Sequence, residues 1–334
     1  MSSTGMYNKI AVIGSGSWAT AIAKILLIKS DRINWYVRNP GTIEYIRQFH
    51  HNPQYLSSVI FDTDRITFYN DLEKIIKESD MLIFAIPSAF LKEMLEPFEP
   101  DFENKLLVSA IKGIIPEDNL TIAEFFNRQY NVPFDRIGII TGPCHAEEVA
   151  LERLSYLTIA SKTVERARGI ADRLENHFIR TVISKDIYGT EYAAVLKNIF
   201  SIAAGVCHGL GYGDNFQAVL ISNAIREIKR FLDCTYPSKR SINSSAYLGD
   251  LLVTAYSQFS RNRSFGVMIG KGYSVRSAML DMNMIAEGYY ATRGIWETSK
   301  KHNLNTPIID SVYNILYEGI SPAIEIKILT EQLA

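Results

Sequence analysis

The chain has 334 residues, 47% of them hydrophobic, and its 35 Lys and Arg nearly balance 36 Asp and Glu, for a formal charge of −1. That balance disfavours a nucleic-acid protein, whose phosphate contacts ask for a basic excess, and no uninterrupted apolar run is long enough to predict a membrane-spanning helix. Three widely spaced cysteines (Cys144, Cys207, Cys234) and an N-terminus, MSSTGMYNK, without the apolar centre of a secretory signal fit a cytoplasmic protein with reduced thiols and no metal site.

Along the chain, the first strand is expected at 9–13. It runs directly into Gly14-Ser15-Gly16-Ser17-Trp18-Ala19 and then a helical pattern. Gly14 permits a tight turn, Gly16 lets a pyrophosphate approach the backbone, and Ala19 allows close helix–strand packing. Amides at the head of such a helix face phosphates, so strand, turn and helix together predict a dinucleotide site. The second strand, 34–37, ends in Arg38 and Asn39, where NAD-selective folds usually present Asp or Glu to the ribose. A guanidinium suits a 2′-phosphate, which favours NADP over NAD. The pair His50-His51 reads as a solvated loop or helix end.

Further strands are expected at 81–85, 106–109, 137–140, 157–160 and 181–184, with amphipathic stretches at 71–78, 121–130 and 164–177. Fully apolar strands alternating with helices imply a mainly parallel sheet covered on both faces. Two polar segments follow strands in this half: Ile111-Lys112-Gly113, and the turn TGPCHAEE over 141–148. Cys144 beside His145 has the residue types of a nucleophile–base pair, but no acyl-transfer motif accompanies it.

From about residue 187 helical patterns take over. AAVLKNIFSIAAGVC, 193–207, is apolar nearly all round, so it belongs inside the protein, yet it carries Lys197 and Asn198. The helical neighbours of Lys197 include no carboxylate. An ammonium there must face a polar cavity, meet a distant acid, or lose its proton, with its pKa drawn from about 10.4 toward ~7–8. A structural pair across the core is the plainer alternative. Helical stretches at 219–234, 287–302 and 308–317 follow, and 248–266 combines Asp250 with Ser260, Arg261, Asn262 and Arg263. Arg261 and Asn262 follow Asp250 by about three helical turns, so one element, if helical, could bring them near one cleft.

The set GSGSWATAIA, NPQYL (52–56), IPSAF (86–90), IKG, TGP-x-x-A-x-E, LKNIFSIAAG, LGDL, SRNRSFG and EGY closely resembles the bacterial-type NAD(P)-dependent glycerol-3-phosphate dehydrogenases, from Ile10 to about Gly319. The resemblance implies that Lys197 is the proton donor and acceptor and that Lys112 and Asp250 complete the catalytic group. It places Lys112, Gly142, Cys144, Lys197, Asp250, Ser260, Arg261 and Asn262 around dihydroxyacetone phosphate or glycerol 3-phosphate. It places Gly14, Gly16, Ser17, Trp18, Arg38, Lys112, Ala146, Arg261, Ile285 and Glu287 near NADP or NAD. A role in phospholipid synthesis and a homodimer are implied as well. Cys144 departs from the Ser or Thr of many members, and a thiol is the weaker donor; Tyr247 stands where glycine is frequent.

The expected fold is α/β: a Rossmann-like, mainly parallel sheet domain over 1–187, binding the dinucleotide, then an all-helical substrate and catalytic domain over 188–334. Two other readings are weighed. A related NADP-dependent hydroxy-acid or sugar-acid dehydrogenase would not need the SRNR cluster, and a non-catalytic NADP sensor would not need Lys197 and Asp250.

Overall fold

The structure is a computed structural model that describes residues 7–116, 118–282 and 286–333. The chain divides into two compact units. The first runs to Ile111 and resumes over Ile122–Ile187; the second takes Lys112–Thr121 and everything from Tyr188 onward.

The first unit holds one eight-stranded sheet: β1 (Ile10–Ile13), β2 (Ile33–Tyr36), β3 (Ile66–Tyr69), β4 (Met81–Phe84), β5 (Leu106–Ser109), β6 (Ile137–Thr141), β7 (Ser155–Ser161) and β8 (Ile179–Ser184). Their order is β3-β2-β1-β4-β5-β6-β7-β8. The first six strands are parallel, β7 runs antiparallel to β6, and β8 is parallel to β7. Strands β1, β2, β4 and β5 are buried at every position, as a sheet covered on both faces requires. The expected fold class is the observed one. The order reverses between β1 and β4, and ligands of open α/β sheets bind outside the carboxyl ends of strands at such a reversal. The Gly14–Gly16 turn leaves β1 at that end.

Two local differences from the sequence reading have physical causes. β3 was not expected: it is an edge strand with a half-buried pattern, so ITFY lacks a fully apolar run. The helix expected over 164–177 is Val164–Leu174. It stops there because the Asn176 side chain accepts from the amides of Phe178 and Ile179, both at 3.0 Å, turning the chain into β8.

The second unit is helical. Its centre is Ile187–Gly209, buried along most of its length, and around it lie Asp214–Thr235, Asp250–Tyr256, Arg261–Gly270, Glu287–Lys301, Pro307–Leu316 and Pro322–Gln332. The segment Lys112–Thr121 joins this unit although the chain reaches it from β5. It is a short hairpin closed at Ile115 and Leu120. Ile114 enters the helical core, and Asn119 Nδ2 donates to Glu297 Oε2 at 2.9 Å.

Glu227 is buried among the helices, where its carboxylate accepts from the amides of Ile308 (2.7 Å) and Ile309 (3.3 Å) at the start of Pro307–Leu316. Burial pushes this carboxyl up to about 8, against the pull of the two amides. The unfolded chain gives up its proton near 4.5, so between these limits the folded protein holds a proton that the unfolded one has lost. The resulting stability is fully present below that lower value, is lost as pH rises through the folded pKa, and the dependence then levels off. Urea unfolding across this window should show the decline, and Glu227→Gln, which mimics the protonated acid, should flatten it. An unchanged slope in the variant would place the titrating group elsewhere.

Candidate active site

Lys197 lies in the middle of the buried helix Ile187–Gly209, and the structure answers its burial with a distant acid. Its ammonium pairs with Asp250 Oδ1, with side-chain exposures of 5% and 1%. Of the three outcomes open to a buried lysine, the ion pair is the one realised. Asp250 is delivered by a single wide π turn, Ser245–Gly249, a form of irregularity frequent at functional sites, with Tyr247 buried in it. On the other side of the same carboxylate, Lys112 Nζ stands 3.6 Å from Oδ2. Lys112 is 18% exposed, so of the two ammoniums it is the more accessible. Asn198, next to Lys197, donates through Nδ2 to the Lys112 carbonyl at 2.7 Å and fixes that segment against the helix. Thr254 Oγ1 donates to the Asp250 carbonyl at 2.6 Å. Two cations around one carboxylate leave a local positive excess, suited to an anionic ligand.

Asp250 and Arg261 stand on separate helices. The helix Asp250–Tyr256 ends, Ser257 turns the chain by accepting from the Phe259 amide at 3.1 Å, and a new helix begins at Arg261. Ser260 is its N-cap. The Ser260 hydroxyl accepts from the Arg263 amide at 3.3 Å and meets Ser201 Oγ at 2.8 Å, so it is buried in packing. Asn262 accepts the Gly288 amide on Oδ1 at 2.9 Å, leaving its Nδ2 without a partner among the described residues. Arg261 is exposed. Glu287 opens the helix Glu287–Lys301, and Ile285 lies outside the described residues.

Two facing pairs of glycines set how near these helices come. A Cβ on Gly205 would lie 2.1 Å from the Arg263 carbonyl oxygen, and one on Gly266 would lie 2.2 Å from that of Ile202. Gly209 and Gly270 repeat the contact one turn further on. Small residues four apart on both helices let the backbones touch, which anchors the Arg261 helix against the one bearing Lys197.

The remaining expected residues belong to the first unit. Gly14 has φ +124°, and a Cβ there would sit 2.5 Å from the Ala85 carbonyl oxygen, so the turn demands glycine. Gly16 differs: its φ of −74° suits any residue, and a Cβ would meet nothing within 4 Å. Nothing in the chain requires glycine there, whereas a ligand approaching the turn does. Gly16 caps the helix Ser17–Lys29 without a side-chain hydrogen bond, which suits amides held for an anion. The residues therefore fit a bound pyrophosphate. Ser17 is buried as the first helical residue, Trp18 is half-buried on the core, and Ala19 is fully enclosed. Arg38 is exposed at the end of β2 and makes no ion pair among the described residues; the Asn39 side chain is spent accepting from the Gly41 amide. After β6, Gly142 has φ +105° and a Cβ there would lie 2.8 Å from the Tyr156 carbonyl oxygen, so its glycine is required by the fold. The Cys144 thiol donates to the Gly142 carbonyl at 3.2 Å, and Ala146 begins a short buried helix.

Two family models cover most of the sequence: the NAD-dependent glycerol-3-phosphate dehydrogenase N-terminus matches residues 9–167 and the C-terminus of the same enzymes matches residues 186–327. The chain belongs to the NAD-dependent glycerol-3-phosphate dehydrogenase family. Among similar proteins, the glycerol-3-phosphate dehydrogenase (NAD(P)+) of Bacillus subtilis strain 168 is 33% identical over 315 residues, covering 93% of this chain and 90% of its own. That of Pelotomaculum thermopropionicum is 32% identical over 330 residues, covering 97% and 94%. The crystal structure of glycerol-3-phosphate dehydrogenase from Coxiella burnetii superposes with a TM-score of 0.89 at 26% identity, over 97% of this chain and 99% of that one. Sequence reasoning about this family member missed Thr254 and Ser201, which are ordinary hydroxyl residues on apolar helices and carry no signal without their partners.

Proposed function

We propose that the chain is an NAD(P)-dependent sn-glycerol-3-phosphate dehydrogenase that reduces dihydroxyacetone phosphate to glycerol 3-phosphate, with Lys197 as proton donor and acceptor. The observation that carries the reading is the buried Lys197–Asp250 pair with Lys112 on the far side of the carboxylate, in a chain of this family. The second unit is then the catalytic half and the first the cofactor half. When bound, the reduced nicotinamide supplies the hydride taken up by the ketone carbon. Lys197 donates its proton to the ketone oxygen as negative charge builds there, and takes it back in the oxidative direction. Asp250 holds the Lys197 ammonium in place, and Lys112 adds positive charge that stabilises the developing oxyanion. Arg261 grips the phosphate through two donors at once, assisted by Asn262 Nδ2. The turn with Gly142 and Cys144 is assigned to the substrate through its backbone, because the thiol is turned to a carbonyl of its own turn. Gly14, Gly16, Ser17, Trp18, Ala146, Glu287 and Lys112 are assigned to the cofactor.

The test of this assignment is the ratio of kcat/KM for dihydroxyacetone phosphate to that for dihydroxyacetone. A remote phosphate grip aligns the ketone, so the unphosphorylated substrate should suffer in turnover as well as affinity. Arg261→Ala should impair the phosphorylated substrate strongly and narrow the ratio. A variant that keeps the full ratio would place the phosphate elsewhere.

Arg38, exposed and without an ion pair among the described residues, supports a preference for NADPH. Arg38→Asp should weaken NADPH far more than NADH, since it exchanges a partner for a repelling charge; an unchanged ratio would remove Arg38 from selection. The same reading takes in a cytoplasmic homodimer that supplies glycerol 3-phosphate to phospholipid synthesis. It is supported by the family resemblance; no described helix is long and apolar enough to cross a membrane.

A further inference from the structure

Asn52 is 1% exposed, sits in the loop after the helix Pro40–Phe49, and makes four hydrogen bonds. Its Oδ1 accepts from the amides of Gln54 (3.0 Å) and Tyr55 (3.2 Å), which fixes which way the carboxamide faces. Its Nδ2 therefore points at the glycine turn, donating to the Ser15 carbonyl at 3.0 Å and to Thr20 Oγ1 at 2.9 Å. The Thr20 hydroxyl in turn donates to the Gly16 carbonyl at 2.9 Å. The Ser15 carbonyl is thus held directly from one buried side chain, and the Gly16 carbonyl, which also accepts the Thr20 amide at 2.9 Å, is held from it through the Thr20 hydroxyl.

In a trans peptide the C=O and N–H point in opposite directions. Holding the Ser15 carbonyl aims the Gly16 amide away from Asn52, and holding the Gly16 carbonyl does the same for the Ser17 amide. We propose that Asn52, acting with Thr20, is a positioning residue for the dinucleotide: it presets the Gly16 and Ser17 amides for the pyrophosphate. Amides already aimed at an anion cost less to order when it binds. This rests on the reading of the turn as the pyrophosphate site, and it adds a residue that contacts no cofactor atom itself. Because the pyrophosphate is common to NADPH and NADH, the contribution of Asn52 is independent of nucleotide choice, unlike that of Arg38.

The experiment titrates cofactor-free protein with NADPH and with NADH by nicotinamide fluorescence, alongside a thermal melt and the KM for dihydroxyacetone phosphate at saturating cofactor. Asn52→Asp keeps the acceptor for Gln54 and Tyr55 but loses both donors toward the turn. Thr20→Val removes the hydroxyl, and with it both the bond from Asn52 Nδ2 and the bond to the Gly16 carbonyl, and Thr20→Ser restores them. Asn52→Asp and Thr20→Val should each raise both dissociation constants by about tenfold, the scale of one hydrogen bond. Thr20→Ser should bind as wild type, and the substrate KM should not move. Should Asn52→Asp not fold, the Thr20 pair decides. Gly16→Val, whose side chain fills the open space over the turn, separates the two claims. Normal binding by Gly16→Val would overturn the pyrophosphate site and with it this proposal. Lost binding in Gly16→Val, with normal dissociation constants in Asn52→Asp and Thr20→Val, would overturn the role of Asn52 alone. A lowered melting temperature with unchanged dissociation constants would show that Asn52 only holds the loop, and would overturn it as well.

Discussion

Lys197→Ala yields a folded protein whose turnover is lower by about 10²–10⁴-fold, the usual contribution of a positioned proton donor. The loss should fall on kcat, with NADPH binding retained, because the assigned task of Lys197 is at the ketone oxygen. Removing one partner of a buried pair typically costs about 3–5 kcal/mol. Here the cost is moderated, since Lys112 remains 3.6 Å from Asp250 and can take up part of the charge. Folding is checked by circular dichroism and a thermal melt before turnover is compared. A folded variant with near-normal turnover would take Lys197 out of the mechanism and leave the pair as a structural one.

The largest effect on stability is expected at the glycine crossing. Gly266→Val places a branched side chain where a bare Cβ already lies 2.2 Å from the Ile202 carbonyl oxygen and 2.9 Å from the Val206 amide nitrogen. Both neighbours are backbone inside a helix, so the two helices must separate. Overpacking of this kind costs about 3 kcal/mol or more. The matching comparison is Gly169→Ala, on the helix Val164–Leu174, where a Cβ meets nothing within 4 Å; it should stabilise by roughly 0.5–1 kcal/mol through helix propensity. Urea unfolding of the two variants should therefore move in opposite directions. Gly266→Val should also lose activity out of proportion to its unfolded fraction, because the Arg261 helix is displaced from the one carrying Lys197. Equal stability of the two variants would show that the helices tolerate separation.

The sequence exposes those parts of the molecule whose causes are local. The fully apolar strands β1 and β4 read correctly because burial on both faces leaves no polar position to confuse the pattern. The tight turn at Gly14 is legible because its cause is local, a positive φ with the Ala85 carbonyl where a Cβ would go. Lys197 announces itself through an absence, since no carboxylate lies on its own helix face. What supplies the charge cannot be seen locally: Asp250 is 53 residues away and reaches Lys197 through a π turn that no periodicity marks. The same limit explains the hairpin Lys112–Thr121, whose place with the helices depends on Asn119, Asn198 and Glu297 rather than on its own composition. Spacing leaves open whether Asp250 and Arg261 share one helix; the Ser257 turn and the Ser260 cap separate them. The glycines at 205, 209, 266 and 270 stand four apart on two helices, a visible pattern whose meaning requires knowing that the two helices face each other.

The central claim is that the Lys197–Asp250–Lys112 set reduces a phosphorylated ketone with a nicotinamide cofactor. The most direct test mixes the purified protein with NADPH and dihydroxyacetone phosphate and follows the absorbance of the reduced nicotinamide. Loss of that absorbance with matching formation of glycerol 3-phosphate, much slower with dihydroxyacetone and nearly abolished in Lys197→Ala, is the predicted result. Folded protein that binds NADPH yet leaves it unoxidised with dihydroxyacetone phosphate, or oxidises it equally fast with dihydroxyacetone, would contradict the account.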